Sequence, residues 1–247
     1  MNLTIDIGNT FVKAALFSNG AIIKSRTATI KELEPFIQNA LYDFPVKHII
    51  LSSVINHPDQ LIADLASNYE FIYLDHHIRL PFVNNYSTPE TLGKDRLAVV
   101  AGAAAVFPDK NVLVIDAGTC IKYDFINAQK EYFGGAISPG ITMRYGALNH
   151  FTQKLPLLSP LSEIPALIGD TTAASIHAGV HIGVLGEVKE NIQLYMEKFK
   201  NISVILTGGD MNYFKPVMSG KNNIFADSLL IHKGLNHILE YNVDILQ

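Results

Sequence analysis

Two short segments of this chain each join an aspartate, a glycine and a hydroxyl residue at the end of an apolar run. Asp6-Ile7-Gly8-Asn9-Thr10 follows Leu3 to Ile5, and Asp116-Ala117-Gly118-Thr119-Cys120 follows Val112 to Ile115. That order of residue types suits a metal-bound nucleotide. A strand-end carboxylate can hold a hard cation or its water shell, because such cations take oxygen ligands. Glycine lets the backbone come close to a phosphate. Threonine offers a hydroxyl and an amide N–H to phosphate oxygens. A single Asp-x-Gly is common turn punctuation. Two of them in matching strand contexts point to a duplicated fold with ATP bound between its halves.

Further residues carry chemistry of their own. In Gly93-Lys94-Asp95-Arg96, ahead of an apolar helix, Asp95 stands where a helix cap would stand. The alternative makes it a general base, since an alcohol attacking a phosphoryl group needs an aligned carboxylate to take its proton. Arg96 beside it would fork onto the carboxylate of an acidic substrate. Thr207-Gly208-Gly209-Asp210 follows a short apolar strand. Its paired glycines would let a purine lie flat on the backbone, or would form a plain strand-to-helix turn. His177 and His181 have a four-residue spacing that can bind metal. No third ligand accompanies them, so they read as surface or interface histidines. Cys120, the sole cysteine, has neither a disulfide partner nor a catalytic His/Asn pattern.

These residues need strands and turns to hold them. Leu3 to Asp6, Phe11 to Phe17 and Ala21 to Thr27 read as three consecutive strands, the last pair joined by the hairpin signal Asn19-Gly20. Helical spacing over 31–42, a strand at 48–51, a helix at 59–68 after Pro58 and a strand at 71–74 complete a βββαβαβ half. The pattern restarts with strands at 112–116, 121–126 and 132–137. It continues with a helix at 141–148, a long Ala/Gly-containing helical region at 172–198 with or without a break, a strand at 204–206 and a closing helix at 229–241. Between the halves, a segment rich in Pro, Asn and Thr (79–96) leads into a helix at 97–106.

Composition narrows the function classes. With 247 residues, 48% of them hydrophobic, the chain can build one large core or two modest ones. Its 19 basic and 23 acidic residues, net charge −4, argue against a nucleic-acid binder. The single cysteine fits a reducing compartment. The N-terminus lacks the pattern of a signal peptide. The apolar run 97–107 is 11 residues long, short of the roughly 20 needed to span a bilayer. A soluble cytoplasmic protein with no membrane partner is expected.

Taken together, Asp6-Ile7-Gly8-Asn9-Thr10, Gly93-Lys94-Asp95-Arg96, Asp116-Ala117-Gly118-Thr119, Gly134-Gly135-Ala136-Ile137-Ser138-Pro139-Gly140 and Thr207-Gly208-Gly209 resemble the type III pantothenate kinases in order and content. These belong to the actin/Hsp70/sugar-kinase superfamily. Cys120 departs from the Ala, Ser or Thr usual there, where the backbone does the binding.

The resemblance implies an α/β fold of duplicated ribonuclease-H-like (actin-like ATPase) domains, each βββαβαβα, over 1–111 and 112–247, with the ATP cleft between them. It implies ATP contacts at Asp6, Ile7, Gly8, Asn9, Thr10, Phe11, Val12, Lys13, Thr119, Gly208 and Gly209. Asp6 would hold Mg²⁺ through water, and Asp116 a monovalent cation, K⁺ or NH₄⁺. Asp95 would be the catalytic base. Tyr86, Gly93, Lys94, Asp95, Arg96 and Thr172 would contact pantothenate. For Tyr86 the plain alternative is a loop aromatic packed on Pro81 or Pro89. For Thr172 it is a helix N-cap, and adjacent Thr171 leaves that register open by one residue. The implied reaction is ATP-dependent phosphorylation of pantothenate, the first step of coenzyme A synthesis, by a homodimer. Alternatives are a superfamily kinase for another small hydroxyl or carboxylate substrate, and a non-catalytic nucleotide-binding regulator.

Overall fold

The computed structural model describes residues 1–42, 44–55, 59–218 and 222–245, so Pro58 lies outside the described residues. In chain order the elements are β1 (Asn2–Ile7), β2 (Phe11–Ser18), β3 (Ala21–Thr29), α1 (Leu33–Tyr42), β4 (His48–Ser53), α2 (Asp59–Asn68), β5 (Glu70–Tyr73), β6 (Val83–Asn84) and α3 (Lys94–Val106). They continue as β7 (Val112–Ala117), β8 (Cys120–Ile126), β9 (Glu131–Pro139), α4 (Ile141–His150), α5 (Thr172–Lys198), β10 (Ser203–Thr207), α6 (Lys215–Met218), β11 (Ile224–Ala226) and α7 (Leu230–Ile245). The expected βββ openings are both present.

Contacts divide the chain into two units. One holds Met1–Asp109, Ile126–Phe133 and Leu229–Gln247, and the other Lys110–Phe125 and Gly134–Ser228. A single boundary at 111/112 follows the order of the chain, and the packing differs from it for two reasons. Strand β6 pairs with Glu131 and Tyr132 at the start of β9. Helix α7 lies directly on α3: a Cβ on Gly102 would stand 2.4 Å from the Leu230 carbonyl, and one on Gly234 1.7 Å from the Ala98 carbonyl. Two glycines therefore set the approach of these helices. The apolar run at 97–107 is accordingly a buried helix, and no described helix is long and apolar enough to cross a membrane.

In the first unit the sheet order is β3-β2-β1-β4-β5, with β1 antiparallel to β2 and parallel to β4. Period-2 alternation directs Leu3, Ile5 and Ile7 into a core with Leu33 and Ile37 of α1 and Leu65 of α2. Thr4 and Asp6 take the opposite face. There His232 Nδ1 of α7 lies 2.8 Å from the Thr4 hydroxyl, which donates to the Ala15 carbonyl. Asn2 Nδ2 donates to Asn236 Oδ1 at 2.9 Å. The Asn19-Gly20 turn has φ of 50° and 74°, the left-handed pair that a two-residue hairpin requires.

In the second unit β11, β10, β7, β8 and β9 lie side by side in that order, with β10 parallel to both neighbours. Helix α5 runs unbroken from 172 to 198. Its stripe Ile176, Val180, Val184, Val188 and Ile192 is buried in the core, and this continuous packing outweighs the low helix propensity of Gly179, Gly183 and Gly186. Strands β6 and β11 and helix α6 are too short to show a periodicity in the sequence.

Candidate active site

The first loop closes on itself. The Gly8 amide donates to the Phe11 carbonyl at 2.9 Å, leaving Asn9, Thr10 and Phe11 exposed at its tip. Asp6, 7% exposed, lies between Lys13 of β2 and Ser52 of β4 in register. Ile7 and Val12 are fully buried in the core, so any ligand contact from these two is through the backbone. The buried Ser52 hydroxyl has no hydrogen-bond partner among the described residues. A buried carboxylate beside an unsatisfied hydroxyl fits a water of a hydrated Mg²⁺, a cation that keeps several waters and takes few protein ligands. Among the described residues there is no cluster of three metal-ligating side chains.

The same unit holds the 93–96 segment. The N-cap of α3 is Gly93, and no side chain caps it. Asp95 is the second helical residue, two positions past the cap, so the cap alternative fails on register. Its Oδ1 accepts from the Arg96 amide at 2.9 Å, and a Cβ on Gly93 would come within 2.6 Å of that oxygen. The carboxylate lies in the first turn, where the helix dipole favours an anion. Arg96 is 4% exposed. Its guanidinium lies 5.4 Å from the Tyr86 ring centre, and Tyr86 stacks on Tyr132 at 6.2 Å and 14°. Tyr86 thus joins Arg96, with Tyr132 stacked on its ring. Lys94 Nζ lies 3.4 Å from the Tyr73 hydroxyl.

In the second unit three motifs that are far apart in the chain converge. The Gly118 amide donates to the Cys120 carbonyl at 3.0 Å, forming the Asp116–Thr119 turn with Thr119 exposed. The Gly140 amide donates to the Thr119 carbonyl at 3.0 Å, and the Asp210 amide to the Ala117 carbonyl at 2.9 Å. Gly208, at φ 91°, leaves no room for a side chain, since its Cβ would stand 2.2 Å from the Ala117 carbonyl and 2.6 Å from Asp116 Oδ1. Burial, and then the charge of Asp116, hold the Asp210 carboxyl above its ordinary value.

Glu187 of α5 braces this arrangement, and nothing in its local sequence marked it. It accepts from Tyr123 at 2.9 Å, from Ser138 and from Arg144. Arg144 Nε also donates to the Pro139 carbonyl at 2.9 Å. Burial pushes Glu187 up, but these donors outweigh it and the carboxyl lies below its usual range.

Two histidine expectations change. His181 is buried rather than on the surface, with Nε2 accepting from the Leu161 amide at 3.2 Å. His177 Nδ1 pairs with the Tyr145 hydroxyl at 2.7 Å. At the start of α5, Thr171 is the N-cap, its hydroxyl accepting from the Ala174 amide at 3.1 Å. Thr172 is therefore the first helical residue, and it is exposed.

The monovalent cation expected at Asp116 meets a different arrangement. Lys122 Nζ sits 2.7 Å from Asp116 Oδ2, with the two side chains 20% and 16% exposed. Oδ1 lies next to the Gly208 turn. A carboxylate held in this way does not fit a free cation. Lys122 follows Asp116 by six residues across the hairpin, a fold-back that could have signalled the pairing.

Two α/β units, each opening on three strands with an Asp-x-Gly hairpin, define the ribonuclease-H-like class of actin-like ATPases and sugar kinases. Solved structures of that class are similar at low identity. The (R)-2-hydroxyglutaryl-CoA dehydratase component A of Acidaminococcus fermentans gives a TM-score of 0.56 at 15% identity, covering 97% of this chain and 96% of that one. A ROK family glucokinase of Streptomyces griseus, solved with glucose and AMPPNP, gives 0.54 at 10%, covering 97% and 98%.

Sequence comparison is more specific. The family model for type III pantothenate kinase matches residues 2–194. Type III pantothenate kinase of Christiangramia forsetii is 45% identical over 98% of this chain and 99% of its own length. The Bacteroides fragilis protein of the same name is 41% identical over 98% of each. The chain belongs to the type III pantothenate kinase family.

Proposed function

We propose that this protein transfers the γ-phosphate of ATP to the primary hydroxyl of pantothenate, giving 4′-phosphopantothenate, the entry step of coenzyme A synthesis. The observation that carries this reading is the near-full-length similarity to proteins of that name, on a chain whose Asp95, Arg96 and Tyr86 stand together.

Asp95 takes the proton of the substrate hydroxyl as the oxygen–phosphorus bond forms and the bond to the β-phosphate oxygen breaks. Transfer is direct, with no covalent enzyme intermediate, so catalysis rests on positioning and charge stabilisation. Arg96, oriented by Tyr86, meets the pantothenate carboxylate, and Gly93, Lys94 and Thr172 complete the substrate contacts. The segment Asp6 to Lys13, with Asn9 and Thr10 at its exposed tip, meets the ATP phosphates. Thr119 does the same from its own loop, and Gly208 and Gly209 receive the adenosine. Mg²⁺, when bound through water to Asp6, would neutralise charge on the phosphates.

The active form is a homodimer in the cytoplasm. In support, α5 presents Ser175, Gly179, Ile182 and Gly183 beside exposed Leu167 and Ile168, an apolar face that a second copy of the chain would cover. The deciding measurement is ADP release with and without pantothenate. Release that pantothenate does not stimulate would remove the proposal. A monomer by light scattering would remove the dimer alone.

A further inference from the structure

The Asp116 turn concentrates negative charge. Asp116 is next to last in β7, and Asp210 is tied to the same turn through its amide and feels the charge of Asp116. ATP phosphates would add more. A site of this kind needs a fixed positive charge, and the chain supplies one: Lys122, on the neighbouring strand β8, contacts Asp116 at 2.7 Å.

We propose that the ε-ammonium of Lys122 is a tethered replacement for a monovalent cation at the second phosphate loop, so that this enzyme works without free K⁺ or NH₄⁺. The chemistry is direct. An alkylammonium has the charge of K⁺ and, like NH₄⁺, is close to it in size. It differs in being covalently held, so its local concentration does not depend on the medium, and the entropy of capturing a free ion is not lost. Both side chains are mostly buried, so added salt screens the pair weakly. The location is equally suited. Asp116 Oδ1 packs on the Gly208 turn and Oδ2 on Lys122. Lys122 therefore orients the carboxylate against the backbone that carries Thr119 and Gly208. It is a positioning residue, acting on ATP through Asp116 and that turn. The Glu187 brace reaches the same turn through Arg144, Pro139 and Gly140.

This inference rests on the phosphotransfer reading. Its test keeps the two apart by using both activity and melting temperature. Wild-type protein is assayed with ATP and pantothenate in NaCl, KCl or NH₄Cl at one ionic strength, and rates within about twofold of one another are expected. Lys122→Met, close to lysine in length but uncharged, should lose about tenfold or more in NaCl, the scale of losing one preorganised charge at a transferring phosphoryl group. KCl or NH₄Cl should restore it in a saturable way. Lys122→Gln serves as a second variant, and a merely structural lysine would show no preference for K⁺ over Na⁺ on removal.

Melting curves give the second readout. The variants should be stabilised by KCl relative to NaCl, and wild type should not. If neither variant folds, the wild-type salt series still decides. Wild type that needs K⁺, or variants indifferent to which cation is present, would overturn the proposal. Wild type inactive toward pantothenate in every salt would overturn the assigned reaction, while the melting curves would still report on the tether.

Discussion

Gly140 and Thr119 are joined by a backbone hydrogen bond of 3.0 Å, although twenty-one positions separate them. The contact is so close that a Cβ on Gly140 would stand 2.1 Å from the Gly118 carbonyl and 2.5 Å from that of Thr119. Gly140 thus packs directly against the Asp116–Thr119 turn. Gly140→Ala should displace the loop and lower kcat/KM for ATP about 10²-fold, the scale of misplacing a reacting group by an ångström. Gly146→Ala on the same helix is the control, because a Cβ there meets nothing within 4 Å. If both variants behave alike, the close contact has no bearing on ATP.

Asp95 lies inside the first turn of α3, with Gly93 taking the cap position. Asp95→Asn should therefore leave the melting temperature nearly unchanged while kcat falls roughly 10²–10⁴-fold, the range for loss of a general base. Full turnover by the variant would reduce Asp95 to its hydrogen bond with the Arg96 amide.

Arg96→Lys keeps the charge and removes the plane. A guanidinium can stack on Tyr86 and grip a carboxylate through two parallel bonds, whereas an ammonium does neither in the same way. Pantothenate affinity should fall by about 1–3 kcal/mol, the scale of a charge-assisted hydrogen bond, with ATP affinity little changed. Titration calorimetry of each ligand separately measures both. Equal losses would make Arg96 a structural residue.

His232 makes folding sensitive to acid. Burial first, and Lys13 second, lower its pKa from 6.5 to about 3. As pH falls below about 6.5, the unfolded chain takes up a proton that the folded chain refuses until about pH 3. Stability should therefore decline across that window, by several kcal/mol at its lower end. His232→Asn should flatten the decline, as followed by urea unfolding at each pH. Profiles of equal slope for the two proteins would show that His232 is not what makes α7 docking acid-labile.

Much of the site was legible because its determinants are local. The Asn19-Gly20 turn follows from the φ values its residues accept, and Asp-x-Gly after an apolar run marks a strand end wherever it occurs. Asp95 was legible as a residue type but not as a position. The cap reading misses by two residues of register, because Gly93 holds the cap position. Glu187 was not legible at all. It lies mid-helix among ordinary polar neighbours, and its partners Tyr123, Ser138 and Arg144 come from three other elements.

The sequence by itself determined the strand and helix order, the two Asp-x-Gly turns and the family, since these depend on residue types at short spacing and on motif order. The tertiary structure alone decided what each motif touches. It placed α7 on α3 through facing glycines, brought Pro139–Gly140 and Gly208–Asp210 onto the Asp116 turn, and set Lys122 against Asp116. The physical reason is that these contacts depend on close approach between segments distant in the chain. A missing Cβ or a paired charge acquires its meaning there only once the fold has brought its neighbour within a few ångströms.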